Sequence, residues 1–539
     1  MPRLIALVAC LAAGFALFYV SARTPPPLAA GAPAGVFSAG RAMADITVMA
    51  SAAHPIGSAA HARVRDYLIG RMTALGLAPQ IQRDQSLRAR AFKGETWASG
   101  ADIENVIGVL PGRDPALPAL TLMAHYDSVP GSPGAADDTA GVAAILEIVR
   151  AIKAAGVPAR DVMAVITDGE EAGLLGAQAF FADHPLAAHA GFVLNLEARG
   201  GGGRAAMFET GVNNGGAIDL FGATAARPSS TSLSVFVYKL LPNDTDFTVA
   251  KARGLAGLNY AFIGRQFDYH SPSSTVATLD RGSVQHLGDE VLGTAKALAF
   301  STALPARSPD RVYADLLGAM VVAYPPWVGW PILILAAALV ALGAWRARRE
   351  GAFSWLDTLN GFGAALLLTL GAALALHLTR HATGTGFGFT EQRPLLARFA
   401  LFEAAMALSG LGAVLLVAAF LGGAKARLAG TWTGLLLSAL AVALALQIGA
   451  PTIAFVVAWP LLAAGALSAL SAAGSSARRA GLGFGLVLTA FTLAWLGNFF
   501  HTLLQGLDVP EAPALALWLA AMVLWPLAWP APRAGARRF

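Results

Sequence analysis

The sequence predicts an α/β domain with a mainly parallel central sheet flanked by helices, followed by a C-terminal multispan α-helical membrane domain. Two observations carry this. Between residues 36 and 308, short β-branched runs alternate with segments of helical apolar spacing, the pattern of strands and helices laid down in turn. From residue 328 onward, apolar runs follow one another across short loops, most near the roughly 20 residues needed to cross a bilayer. The composition averages these two parts. Of 539 residues, 56% are hydrophobic and 13% charged, against roughly 25% charged in an ordinary soluble domain. That excludes a chain that is soluble or disordered throughout. The net charge is +5, but many of the arginines sit at the ends of apolar runs, so the basic balance needs no nucleic acid. Cys10 is the single cysteine. No internal disulfide or thiolate metal site is available, and any metal must be held by His, Asp and Glu.

In order along the chain, residues 1–23 hold the apolar run Leu4–Val20. This is a signal anchor or a signal peptide, with Val20-Ser21-Ala22 as the cleavage site in the second case. The anchor is preferred, because a protein with further spans gains little from cleavage. Residues 24–35 are rich in Pro, Ala and Gly and read as a linker. In the 36–308 domain, Ile103–Leu110, Ala119–Ala124, Asp161–Thr167 and Gly191–Leu196 read as buried strands. Thr139–Ala154 places Val142, Ile145, Leu146, Val149 and Ile152 on one helical face. Leu174–Phe181 and Ser283–Phe300 read as further helices. A second linker, 309–327, leads to a membrane domain at 328–531. Its spans are expected near Val328–Trp345, Leu359–Leu378, Arg398–Leu421, Thr431–Ile448, Ile453–Ala473, Leu482–Leu503 and Ala514–Trp529. Residues 532–539 are a basic tail. With the amino terminus cytoplasmic beside Arg3, the groups Arg346/Arg348/Arg349, Lys425/Arg427, Arg478/Arg479 and Arg533/Arg537/Arg538 all fall inside, as the positive-inside rule requires. The 36–308 domain then lies outside. Glu403 falls within a span, where a carboxylate is a functional candidate; it lies near the outer end, so snorkelling or a partner such as His377 is preferred.

The chemistry lies in the soluble domain. The strand Ala119–Ala124 runs into His125-Tyr-Asp127, at the carboxyl end where open α/β sheets place their sites. Asp127, two residues on, lies on the same side and can orient a metal-bound imidazole. Gly134-Ala-Ala-Asp137-Asp138 enters a helix, where an aspartate serves as a cap or as a bridge between two cations. The strand Asp161–Thr167 leads to Asp168-Gly-Glu170-Glu171. Adjacent glutamates repel unless a cation separates them; one can ligate while the other serves as a base. Glu197 ends the next strand, and Tyr269-His270-Ser-Pro supplies a second histidine. Oxygen and nitrogen ligands without sulfur suit a catalytic zinc pair. His54 and His61 lie outside this pattern and are expected at the surface or capping a helix.

These motifs, in this order over roughly His54 to Ala303, resemble the di-zinc metallopeptidases of family M28, the aminopeptidase and glutamate-carboxypeptidase-like enzymes. His54-Pro-Ile-Gly-Ser58 and Pro242-Asn-Asp244-Thr-Asp246-Phe247 resemble its membrane-linked branch, which includes an endoplasmic-reticulum metallopeptidase and a vacuolar membrane protease. The resemblance implies an α/β zinc-exopeptidase fold. It implies that Asp137 bridges two zinc ions, with His125 and Glu197 completing one site and Glu171 and His270 the other. It makes Glu170 the general base toward a metal-bridging water and Asp127 the group that orients His125. Many members carry Asp where this chain has Ser274. A family tyrosine assists at the oxyanion, with Tyr238 and Tyr260 as candidates. Asp244 or Asp246 is expected to attract a substrate amine, and Arg199 to brace the glycine loop Gly200–Gly203 or pair with a substrate carboxylate. Cobalt or manganese also suits this ligand chemistry.

The expected function is therefore a membrane-anchored zinc exopeptidase, an aminopeptidase by preference, acting on peptides on the non-cytoplasmic side, periplasmic, extracellular or lumenal. Its partners are a peptide and a lipid bilayer, with no nucleic acid. A single-zinc, glutaminyl-cyclase-like acyltransferase is the first alternative. A receptor or transporter with a binding-only domain is the second, and it predicts a lost ligand or base, which the sequence does not show.

Overall fold

Alternation of apolar runs with polar turns gives two units in the computed structural model, which describes residues 2–92, 94–350, 353–388, 390–423, 428–471, 475–507 and 509–528. One unit is Arg23–Ala323; the other joins Met1–Ala22, with helix α1 (Pro2–Ser21), to Tyr324–Phe539.

The first unit holds helices α2 (Ala39–Met49) and α3 (Ala59–Leu75) and seven strands: β1 (Gln80–Phe92), β2 (Glu95–Leu110), β3 (Ala119–His125), β4 (Val162–Thr167), β5 (Ala190–Ala198), β6 (Gly202–Thr210) and β7 (Ala256–Gly264). Their order in the sheet is β1-β2-β4-β3-β5-β7-β6. The four central strands run parallel, through the pairs β4–β3, β3–β5 and β5–β7. Both edges are antiparallel, through β1–β2, β2–β4 and β6–β7, so the sheet is mixed. Every residue of β3 and β4 is buried, as strands covered on both faces must be. Alternate side chains feed two cores. Leu120, Leu122, Ala124, Val162, Ala164 and Ile166 pack with residues of α2, α3, α4 (Thr139–Ala155), α6 (Gly215–Thr224) and α9 (Arg281–Phe300). On the other face, Ala119, Met123, Met163, Val165 and Val193 meet Phe180 and Phe181 of α5 (Leu175–Asp183) and Phe247 of α8 (Asp246–Ala252). Each fully buried large apolar side chain contributes about 1.5–3 kcal/mol. Between α6 and α8 lies the short helix α7 (Ser232–Tyr238).

The segments read as linkers are built into this unit. The Pro/Ala/Gly-rich stretch is tied by its backbone. Leu28 N donates to Gln285 Oε1 at 2.9 Å, and the Arg41 guanidinium donates to the carbonyls of Ala30 and Ala32, both at 2.8 Å. Beyond residue 308, strands β8 (Val312–Asp315) and β9 (Val321–Tyr324) pair with each other, and Tyr313 is fully buried. Composition suggested linkers because backbone bonding leaves no apolar signature. Losing a buried aromatic side chain costs about 3–5 kcal/mol. A fragment 36–308 is therefore expected to unfold at distinctly lower urea than 23–323, and coincident midpoints would contradict this packing.

In the second unit each expected span is matched by a helix: α10 (Gly329–Arg349), α11 (Trp355–Ala382), then, after the one-turn α12 (Arg393–Leu396), α13 (Phe399–Gly423), α14 (Leu428–Gly449), α15 (Phe455–Ser471), α16 (Ser475–Gly506) and α17 (Ala514–Ala528). Among the described residues six stretches are long and apolar enough to cross a membrane: Leu4–Ser21, Pro326–Arg349, Trp355–Ala382, Phe399–Leu421, Ala429–Gly449 and Gly483–Gly506. Phe455–Leu470 and Ala514–Leu527 are shorter. Small residues bring helices together: a Cβ on Gly361 of α11 would meet the Thr431 carbonyl of α14 at 2.3 Å. Helix α1 joins α16 through Asn498 Nδ2, which donates to Ser21 Oγ at 2.8 Å. Glu403 pairs with His501, not with His377, which pairs with Glu511 instead. Partners on distant helices are invisible to sequence spacing. Lys425, Arg427, the tail 532–539 and the side chains of Arg3, Arg478 and Arg479 lie outside the described residues.

Candidate metal centre

The parallel strands deliver the candidate ligands to one edge of the sheet, where their carboxyl ends open onto loops. β3 ends in His125, β4 leads through Asp168-Gly169 to Glu170 and Glu171, and β5 carries Glu197. Gly169 has φ +64, a turn that glycine takes without steric cost. Asp138 is the N-cap of α4, accepting from Gly141 N at 3.1 Å, which leaves the preceding Asp137 to face the strand ends. His270 follows β7, with φ +50 and its ring stacked on Tyr269, centroids 3.7 Å apart.

Asp137 is shared between the two histidines. Its Oδ1 lies 3.1 Å from His125 Nε2, and its Oδ2 lies 3.1 Å from His270 Nε2. His270 Nε2 is 3.0 Å from Glu171 Oε1, and His125 Nε2 is 3.8 Å from Glu197 Oε2. Among the described residues, two groups of ligand atoms are close enough to surround an ion: His125, Asp137 and Glu171, and His125, Asp138 and Glu197. The second group includes Asp138 rather than Asp137. We assign Asp138 to the cap, because one of its oxygens is committed to Gly141 N while both oxygens of Asp137 face imidazoles.

Asp127 braces the centre from behind. His125 Nδ1 lies 3.0 Å from the Asp127 carbonyl and 3.4 Å from its Oδ1. Donation to either fixes the tautomer that turns Nε2 toward the site. The Asp127 carboxylate also accepts from Glu170 N at 3.0 Å and Glu171 N at 3.2 Å, so one buried side chain positions both the imidazole and the Glu-Glu loop.

The electrostatics call for cations. Burial pushes the carboxyls of Glu170 and Glu197 well above the usual range. Burial and the Asp137 charge raise Glu171 to about 7. Burial also raises Asp137, but the imidazoles of His125 and His270 beside it outweigh this and hold it well below the usual range. Burial lowers His270, yet the carboxylates of Asp137 and Glu171 beside it lift it to about 9. Glu171 Oε1 and His270 Nε2 are buried and face each other without the alignment a hydrogen bond needs. Such a set of unsatisfied oxygen and nitrogen donors, without sulfur, fits zinc.

A pH dependence follows. His270 has a raised pKa in the metal-free chain, so the stability it gains beside the ionised Asp137 is present below pH 6.5 and is lost as pH rises through about 9. Ligation needs the neutral imidazole. Zinc uptake at pH 7.5 is therefore expected to release at least one proton per chain, with apparent affinity falling as pH drops. An indicator dye in weak buffer reads this directly; uptake without proton release would count against His270 as a ligand.

The other expected residues divide. Tyr238 lies beside the centre: after burial, the charges of Glu209, Glu197, Asp244 and Glu170 raise its phenol pKa. Tyr260 does not. It is fully buried in β7, with Thr294 and Glu290 of α9 as its neighbours, because the alternation of β7 turns it into the core. Asp244 is paired with Arg88 at 2.7 Å and Arg90 at 3.5 Å, so it is not open to a substrate amine. Asp246 is buried, bonded to Thr167 Oγ1, and raised to about 6 by burial. Arg199 is half-buried, with its charge near Tyr269. The glycine loop is packed by its neighbours: a Cβ on Gly201 would meet Asp268 Oδ2 at 2.3 Å. In the turn after His270, Ser271 Oγ lies 2.7 Å from Ser273 Oγ, and Ser274 is buried.

His54 and His61 are buried rather than at the surface. His61 Nε2 meets Asp168 Oδ1 at 2.8 Å, and its ring stacks on Tyr126. This buried layer was missed because its partners lie 107 and 65 positions away in the sequence. Also missed was Asn195, whose Nδ2 lies 3.3 Å from Glu197 Oε1; its place two residues before Glu197 on one strand was the available signal.

Residues 105–295 match the family described as Peptidase family M28. The chain carries a peptidase family M28 domain. Among relatives, the chain is 33% identical to mouse endoplasmic reticulum metallopeptidase 1 over 299 residues, covering 53% of this chain and 33% of that protein. It is 34% identical to the vacuolar membrane protease of Candida dubliniensis over 247 residues, covering 45% of this chain and 26% of that protein. The match thus spans a third or less of these relatives' lengths. Among solved structures, the aminopeptidase from Aneurinibacillus sp. strain AM-1 aligns with TM-score 0.41 and 13% identity, over 51% of this chain and 97% of that one.

Proposed function

We propose that this chain is a membrane-anchored di-zinc aminopeptidase whose M28 domain works on the non-cytoplasmic side. The observation that carries it is the sharing of Asp137, one oxygen toward each of two imidazoles. His125 and Glu197 would hold one zinc ion, Glu171 and His270 the other, with Asp137 common to both. A zinc pair supplies Lewis acidity and makes water acidic enough to attack at neutral pH.

The chain's own residues supply the rest. Glu170, anchored through its amide to Asp127, takes the proton from the attacking water and passes it to the leaving amine. The Tyr238 hydroxyl donates to the oxygen of the scissile carbonyl as charge develops there. Asp127 keeps His125 in its ligating tautomer. The carboxylates of Asp127, Asp137, Asp138, Glu170, Glu171, Glu197 and Asp246 gather here. An acidic surround of this kind favours a substrate end bearing an amine over one bearing a carboxylate.

The placement of the domain rests on Arg346, Arg348 and Arg349 in the last turn of α10 and the further basic loops, with the positive side in the cytoplasm, and on α1 as a retained anchor. Sealed right-side-out vesicles carrying the full chain test function and placement together. They should hydrolyse a membrane-impermeant aminoacyl-nitroanilide, lose that activity to chelator, and leave amino-blocked substrates intact. Activity seen only after detergent would overturn the topology. Cleavage of amino-blocked peptides alone would overturn the aminopeptidase assignment, and cyclisation of amino-terminal glutamine with one zinc ion bound would replace hydrolysis with acyl transfer.

A further inference from the structure

The Glu197 side chain has one more torsion to fix than an aspartate's, and a row of buried polar residues leads away from it. Asn195 and Asn259 are paired in register across β5 and β7, and Asn259 is in turn paired with Glu209 across β7 and β6. Cross-strand partners share a face, and Glu197, two residues beyond Asn195, lies on that face too. Asn195 and Asn259 are fully buried, and Glu209 is 1% exposed.

The hydrogen bonds run in one direction. Glu209 accepts from Lys251 Nζ and, through Oε2, from Asn259 Nδ2 at 3.0 Å. The second hydrogen of Asn259 Nδ2 goes to Thr245 Oγ1 at 2.9 Å. Asn259 therefore turns its carbonyl to Asn195, whose Nδ2 donates at 3.0 Å. That same Nδ2 lies 3.3 Å from Glu197 Oε1, so the other oxygen, Oε2, is the one that faces His125 Nε2.

The polarity is forced from the far end. An ionised carboxylate only accepts and an ammonium only donates. With Lys251 donating to Glu209 Oε1, Asn259 presents its amino group to Glu209 Oε2 and its oxygen to Asn195. Asn195 must then present its amino group, which is the group that can hold a carboxylate. In a buried row each bond fixes the next.

The geometry points to Asn195, Asn259 and Glu209 as positioning residues that tie back one oxygen of Glu197 and aim the other at the metal centre. This rests on Glu197 being a zinc ligand, as proposed above. Glu209→Gln tests the polarity without changing volume: glutamine can give its oxygen to Lys251 and its amino group to Asn259, which turns both asparagines over and sets the Asn195 oxygen against Glu197. Asn259→Leu tests the row by removing its centre.

The experiment uses the full chain in detergent. Zinc content is measured by mass spectrometry, affinity by chelator competition, and folding by the melting temperature of the metal-free chain. In each variant one zinc equivalent should weaken by about 10–100-fold, the usual cost of losing a partner behind a ligand. The other equivalent should keep wild-type affinity, and kcat should fall more than KM rises. Two zinc ions at wild-type affinity in both variants would overturn the inference alone. Equal weakening of both equivalents with a lowered melting temperature would also overturn it, by showing a merely structural role. A wild-type chain that binds no zinc would instead remove the proposed function on which the inference stands.

Discussion

Glu170→Gln is expected to reduce peptide hydrolysis by about 10²–10⁴-fold, the contribution of a positioned general base, while both zinc ions stay bound. Glutamine keeps the length and shape of the side chain but cannot take a proton. Glu170 belongs to neither group of ligand atoms, so metal content should not change. Its main-chain bond to Asp127 does not depend on the side chain, so the loop keeps its shape. KM should change little compared with kcat. Near-normal turnover would move the base elsewhere, with the adjacent Glu171 as the first alternative; lost zinc would make Glu170 a ligand instead.

Asp137→Asn is expected to cost as much by a different route. An asparagine offers one acceptor and one donor in place of two acceptors, so it cannot serve two cations. Zinc content should fall to at most one per chain, and activity should fall at least as far as in Glu170→Gln. In the metal-free chain His125 and His270 each lose a carboxylate partner, so their proton affinities should also drop. A titration of the metal-free variant by proton NMR checks this second effect. A variant that still binds two zinc ions and turns over would leave Asp137 without a bridging role.

Much of the centre was legible because parallel strands convert sequence order into spatial order. His125, Glu170, Glu171 and Glu197 each follow an apolar run that becomes a central strand, and that order brings them to one edge of the sheet. The edges of the sheet were harder. β1 carries alternating arginines and no apolar run, and β6 opens on glycines, so neither has the signature of a buried strand. Residues set by distant partners were illegible for the same reason. Tyr238 and Tyr260 look alike in sequence, and only the register of β7 sends Tyr260 into the core. Asp244 reads as an open carboxylate until Arg88, 156 positions away, is found beside it. The apolar composition of the second unit marked where its helices lie, but Glu403 found His501 through a fold that composition does not encode.

The central claim is that one buried aspartate organises a two-metal centre. It is tested most directly by counting zinc in the full chain purified without chelator. Two zinc ions per chain, with hydrolysis lost on their removal and restored on their return, is the expected result. A well-folded chain that takes up no zinc, or that hydrolyses peptides equally well after complete removal of metal, would contradict it.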